Sequence, residues 1–548
     1  MREKWRKYSP YVLLGGSFLL LLLLNVFRHD QWLDSDMAAE MMFSRLLAQE
    51  GRFFATPDWY YSTEFRFLYT HWIMGPLFRI LANWHVIRTI TNLVSYVLMV
   101  AAYYFFMKPF DVKRERVVAS SAILLLPFSE TMMTHMVMGN TYLFHVIIVF
   151  TVFGLFLRLA GGHKGKRVVW LVCYLVFAVI CGVSGVRYLL ALQCPLVLTS
   201  LVGIFRSADF AQLRREWSDR ETGEKNGKNG KSGKTLWLTL GKSVSAKYLW
   251  YSLLGAAGSV AGYAVNVLYV SRRYVFQTYD ATNFIAVYQG ILMERIQNAI
   301  GSLIMLFGYI PDRGVLSLRG VITLVAFLLL AVFGYCSVQA GKECKGQRGF
   351  VTWFLYVSFL LNLFVFVFTT STMVPRYYLT IYIFLLPVLC FYLEKEEHYF
   401  DRLAVCVLLI LGLTLATGKT VLSYVTIDKN ADRRKVAAAL EEQGLKFGYA
   451  TYWNGNILTE LTNGQVEIAN VGDGIYLDYF KWSSPMKYYA DDYAEGQVFL
   501  LLSAEELEEA VAAGARTVQE GRVVYADNAY TVLVYDSAAK LRSLAAER

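Results

Sequence analysis

Long apolar runs separated by short polar stretches dominate the chain. The first, Tyr11 to Phe27, has the length needed to cross a hydrocarbon core. Further runs lie near residues 86–107, 117–135, 140–160, 168–183, 187–205, 248–270, 316–337, 350–370, 377–394 and 403–423. No small-residue cleavage site follows the first run, so it reads as a retained helix rather than a secretory signal. The pattern predicts an α-helical polytopic membrane protein with eleven transmembrane helices.

Basic residues orient these spans. Arg2, Lys4, Arg6 and Lys7 precede the first run. The loops that fall on the same side hold Lys108, Lys113, Arg114 and Arg116, then Lys164, Lys166 and Arg167, then Lys342, Lys345 and Arg348. By the positive-inside rule the N-terminus is expected in the cytoplasm and the C-terminal region outside. The formal net charge of +10 gathers in these inner loops, where it meets anionic headgroups, and no nucleic acid partner is expected.

A transmembrane domain is thus predicted over residues 1–424, with external loops at 28–85 and 271–315. The inner loop at 206–247 is Gly- and Lys-rich around Glu224 to Lys234 and is expected to be a disordered linker. Within the first external loop, residues 37–50 are mostly good helix formers that stop at Gly51. Residues 291–310 mix Glu294, Arg295, Gln297 and Asn298 with apolar residues before Pro311, which predicts an interfacial or re-entrant helix. From residue 425 to 548 charged and small residues return. A helix near Arg433–Gln443, strands near Phe447–Trp453 and Val498–Leu502, a helix over Ala504–Ala513 and a hairpin at Arg522–Ala526 and Tyr530–Tyr535 predict a small extracytoplasmic α/β domain. The seven cysteines all fall in spans or inner loops, so no external disulfide framework is implied.

The polar residues near the outer face carry the candidate chemistry. Asp34 and Asp36 follow the first span. An acid at the outer face, a helical segment, Gly51-Arg-Phe-Phe54, Pro57-Asp-Trp-Tyr-Tyr-Ser-Thr-Glu64 and a span opening on His85-Val-Ile-Arg88 together resemble the first external loop of the GT-C glycosyltransferases. These include protein O-mannosyltransferases and lipid A aminoarabinose transferases. The resemblance implies a polytopic fold, a polyprenyl-phosphate or polyprenyl-diphosphate sugar donor, and a catalytic acid in this loop, whose matching position is Asp36.

Chemistry supports such an acid, because a hydroxyl acceptor is a poor nucleophile and a carboxylate within hydrogen-bond reach draws off its proton as the new bond forms. Asp34, Glu64 and His71 lie in the same loop and could share or assist the role. The competing explanation for either Asp is a cap on the helix that follows. Where many relatives place a second acid, this chain has Met37. Whether Asp36 and Glu40 hold a divalent cation, magnesium or manganese, is therefore left open, and no other cofactor is implied.

A phosphate leaving group calls for cations. Arg187, after Gly182-Val-Ser-Gly-Val186, and Arg376, within Thr372-Met-Val-Pro-Arg-Tyr-Tyr378, sit at outer turns where a guanidinium fork could take phosphate oxygens, and they resemble the outer-end arginines of these enzymes. Arg313 bounds the second external loop as a weaker candidate. Snorkelling to headgroups explains Arg187 equally well and Arg376 slightly less well. Trp59, Tyr61 and Tyr377 could stack on sugar faces, although interfacial aromatic belts produce the same pattern. His135 and Asn140 could bond sugar or phosphate, or a neighbouring helix. Phe447 to Asn456, dense in aromatics and amides, suits acceptor recognition or a strand core.

The function implied is an inverting glycosyltransferase of a bacterial plasma membrane, carrying a sugar to an extracytoplasmic glycan, lipid or protein. Two other classes fit the hydropathy pattern: a transporter or flippase of a lipid-linked or small solute, and a noncatalytic membrane sugar-binding or scaffold protein.

Overall fold

The computed structural model describes residues 2–162, 166–206, 244–277, 282–286, 290–311, 314, 316–317, 320, 323–394 and 399–545. Most of the predicted linker at 206–247, and Arg313, lie outside the described residues.

Among the described residues, eight helices are long and apolar enough to cross a membrane: Lys7–Arg28, Trp84–Phe110, Leu143–Ala160, Ala246–Arg273, Val325–Glu343, Gly346–Phe368, Pro375–Leu393 and one within Tyr399–Glu442. Arg167–Val183 and Leu189–Phe205 are apolar but shorter. The run at 117–135 differs from its prediction. Its helix, Arg114–Leu124, stops short of Pro127 and resumes at Glu130, where the Ser129 hydroxyl accepts the Met132 N–H at 3.2 Å. Proline has no N–H to donate and disfavours helical backbone in the residue before it, so an apolar run of spanning length becomes a broken helix. The run at 316–337 is displaced, its helix covering Val325–Glu343. Ile291–Leu306 forms the expected non-spanning helix of the second external loop.

The first external loop folds around the Ser35–Gln49 helix. Asp34 caps it from extended backbone, its carboxylate accepting the Met37 N–H at 2.8 Å, and Gly51, at φ +68°, ends it. The loop also supplies β1 (Trp59–Tyr61), which pairs parallel with β2 (Val275–Phe276) of the second external loop. On its other side β1 runs antiparallel to β5 (Ser484–Pro485) of the C-terminal region.

The C-terminal domain is built on a five-stranded sheet in the order β4-β3-β6-β8-β7, from β3 (Phe447–Thr451), β4 (Glu467–Val471), β6 (Val498–Ser503), β7 (Arg522–Ala526) and β8 (Tyr530–Tyr535). Strands β4, β3 and β6 are parallel and β8 and β7 add an antiparallel hairpin. The domain does not hang free. Met41, Met42, Trp59, Trp84 and Ile87 share one apolar core with Phe447, Tyr449, Ala469 and Tyr488. Within this junction Arg88 donates to both carboxylate oxygens of Glu460, at 2.7 and 2.8 Å, and to the Met37 carbonyl at 2.7 Å. The loop and the domain therefore form a single packed body at one end of the helices.

Candidate active site

A cavity of about 290 Å³ opens between that body and the helix ends. The Ser35–Gln49 helix lends it Asp36 and Glu40, and the rest of the first external loop lends Trp59, Tyr61, Glu64, Arg66 and His71. His135 comes from the π-helical segment Met133–Met138, Arg187 from the start of the helix after Gly185, Arg376 and Tyr377 from the 3₁₀ turn Pro375–Tyr378, and Tyr452 and Trp482 from the C-terminal domain.

Asp36 occupies the first turn of its helix and is exposed to the cavity, while Asp34 beside it is spent on the cap. The Tyr452 hydroxyl donates to Asp36 Oδ1 at 2.7 Å. Burial, reinforced by the Asp36 charge, holds that phenol well above the ordinary tyrosine range, so it stays a donor. Asp34 does not line the cavity, and burial together with Asp36 pushes its carboxyl up to about 6.

The other acids are paired. Glu40, buried in the wall, accepts from Arg66 at 3.1 Å and from the Thr70 hydroxyl at 3.2 Å, and burial pushes it up to about 7 against the pull of the Arg66 charge. Glu64 accepts from Arg187 Nε at 2.7 Å, and the Arg187 guanidinium lies 5.1 Å from the centre of the Tyr142 ring. Arg376 makes no ion pair among the described residues and is half-buried beside Tyr377, its guanidinium 5.7 Å from that ring's centre. The cavity thus presents one exposed carboxylate and one uncompensated guanidinium.

His71 is buried with its ring edge-on to Phe43, and burial pushes its imidazole down to about 3, so it is neutral. His135 bonds the Thr141 hydroxyl at 2.8 Å through Nδ1. Tyr61 presents its ring but donates its hydroxyl back to the Thr56 carbonyl at 3.0 Å, and Trp59 packs on Phe43. Asn140 does not line the cavity. Fully buried at φ +55°, it donates to Asn92, which in turn donates to Asn25 at 2.6 Å, a polar ladder between apolar helices.

Tyr452, Arg66, Tyr142 and Trp482 are lining residues that sequence reasoning did not single out. Tyr452 sat within the aromatic stretch read as a site for acceptor contact. Arg66 carried no signal beyond being a charge in the right loop.

No protein-family model matches the sequence, and no curated protein matches it. Solved structures do. Apo ArnT from Cupriavidus metallidurans superposes with a TM-score of 0.51 at 12% identity, over 98% of this chain and 99% of that one. The same protein bound to undecaprenyl phosphate gives 0.49 at 12% identity, over 99% and 100%. The Archaeoglobus fulgidus oligosaccharyltransferase, tethered to an acceptor peptide containing the NVT sequon, gives 0.45 at 13% identity, over 91% and 70%. The fold is similar to that of ArnT, a multi-pass arrangement of apolar helices carrying a small C-terminal β-sheet region.

Proposed function

We propose that the protein is an inverting membrane glycosyltransferase that moves a sugar from a polyprenyl-phosphate or polyprenyl-diphosphate donor to an acceptor at the outer membrane face. The observation that carries this reading is the cavity in which Asp36, exposed and held by Tyr452, shares one polar space with Arg376, which has no ion-pair partner among the described residues.

Asp36 is the base. Its free oxygen takes the proton of the acceptor hydroxyl as that oxygen bonds to the anomeric carbon from the face opposite the phosphate. The phosphate leaves with the electron pair of the broken C–O bond and needs no proton from the protein. Arg376 takes the charge that develops on it, and Arg187 adds a second positive group, partly offset by Glu64. A separate apolar cavity of about 200 Å³, lined by Leu303, Phe333, Phe359 and Tyr378 among others, starts next in sequence to Tyr377 and suits part of an isoprenoid chain. A transporter has no need of a carboxylate and a guanidinium converging on one outer cavity under a folded domain.

The test is transfer by the purified protein from a panel of radiolabelled polyprenyl-linked sugars to cell-envelope glycan, lipid and protein acceptors. Asp36→Asn is expected to reduce transfer by about 10²–10⁴-fold while still binding donor. Full transfer by that variant would end the proposal.

A further inference from the structure

Outside the cavity, the end of the first spanning helix and the start of the second meet in a cluster of His29, Asp30 and His85. One ligand-competent atom from each residue lies within 4.8 Å of those of the other two. His85 Nδ1 stands 2.9 Å from Asp30 Oδ1, and His29 Nδ1 stands 3.8 Å from the same oxygen. The His29 ring is 2% exposed, yet neither of its nitrogens has a hydrogen-bond partner among the described residues. A buried imidazole with no hydrogen bond to either nitrogen is costly and calls for a further partner. The Asp30 side chain is 44% exposed and that of His85 30%, which leaves an entry path from solvent.

We infer that His29, Asp30 and His85 form a binding site for a transition-metal dication of the zinc type, clamping the outer ends of the first two spanning helices. Two imidazoles and a carboxylate match zinc, with its remaining position open to water, whereas magnesium and calcium favour all-oxygen shells. The nearby Arg88 does not forbid a cation, because Glu460 already neutralises it.

The site's place in the fold gives it a role. Asn430 donates to the carbonyls of Asp30 and Leu33, both at 2.9 Å, and the Lys429 N–H donates to the Gln31 carbonyl at 3.0 Å. A metal on Asp30 and both histidines would lock the remaining side of the turn that runs into Asp34 and Asp36. None of the three residues lines the cavity, so the metal acts on position rather than on substrate.

The test needs no substrate. Tag-free, full-length protein in detergent is stripped with EDTA, dialysed against zinc chloride and then metal-free buffer, and assayed for metal by plasma mass spectrometry and for thermal unfolding. Wild type is expected to keep one zinc per chain and to gain in Tm, with zinc-edge absorption showing two imidazole ligands. Magnesium chloride alone should give no such gain. His85→Ala and Asp30→Asn, both at partly exposed positions and checked for folding by gel filtration, should lose the metal and the Tm gain. Folded wild type that retains no zinc and shows no shift overturns the inference. So does retention of a full equivalent by both variants, which would place the metal elsewhere.

Discussion

Tyr452, the first residue of a helix in the C-terminal domain, donates its hydroxyl at 2.7 Å to Asp36, a residue 416 positions earlier in the first turn of the Ser35–Gln49 helix. The hydrogen bond crosses the junction between the first loop and the C-terminal domain and fixes the direction in which one carboxylate oxygen points. A hydrogen bond to a charged group is worth about 1.5–3 kcal/mol. Tyr452→Phe should therefore lower kcat by roughly 10- to 100-fold with donor affinity little changed. Steady-state transfer beside direct donor binding measures both, and a variant with wild-type kcat would show that Asp36 is held by other means.

Asp34 and Asp36 are two residues apart and answer to opposite tests. Asp34 caps the Ser35–Gln49 helix, so Asp34→Ala should destabilise by about 1 kcal/mol and depress Tm while transfer survives. Asp36→Asn should leave Tm close to wild type and reduce transfer by about 10²–10⁴-fold, the range for a lost general base. Swapped outcomes would exchange the roles.

Much of this arrangement was legible from local pattern. The helix ending at Gly51 and the hairpin at Arg522–Ala526 and Tyr530–Tyr535 each depend on residues close in sequence, where periodicity and turn chemistry act. The broken run at 117–135 had its signal in Pro127, outweighed by the apolar residues on both sides. What no local pattern could reveal is the junction. Trp59 opposite Pro485, Arg88 on Glu460 and Tyr452 on Asp36 pair residues hundreds of positions apart, and nothing in one segment encodes its partner. Asn140 shows the converse: its polarity was visible, but only the packed helices direct it to Asn92.

Glu40 gives the external body a pH dependence. Burial raises its carboxyl to about 7 in the folded protein, against an ordinary value near 4.5. Between these values the folded state holds a proton that the unfolded chain has released, so Glu40's contribution to stability is greatest below about pH 4.5 and falls as pH rises towards 7. Glu40→Gln removes the titration. Apparent Tm measured from pH 5 to pH 8 should decline less steeply in this variant than in wild type, and parallel profiles would mean that Arg66 keeps Glu40 ionised throughout.

The two cavity arginines should separate by what their loss leaves behind. Arg376 has no carboxylate partner among the described residues, so Arg376→Ala orphans nothing and should weaken donor binding by about 10-fold or more, as expected for a charge-assisted contact, with Tm unchanged. Arg187→Ala strips Glu64 of its 2.7 Å partner and should lower Tm as well as donor affinity. Unchanged donor affinity in Arg376→Ala would remove that residue from the site.

The Arg88–Glu460 pair tests whether the external body works as one unit. Both side chains are almost fully buried, at 1% and 6% exposure, and Arg88 also holds the carbonyl of Met37, the residue after Asp36. Arg88→Met abandons the Glu460 carboxylate in an apolar junction, a loss of the kind that costs about 3–5 kcal/mol. Arg88→Met combined with Glu460→Leu removes both charges, so stability should largely return because no buried charge is left unpaired. Transfer should not return in step with it, since the Met37 carbonyl and the start of the Asp36 helix have lost their anchor. Thermal unfolding and transfer rates of the two singles and the double, set out as a mutant cycle, separate the two effects. A double variant that recovers both fully would show that the pair holds the domain in place without positioning Asp36.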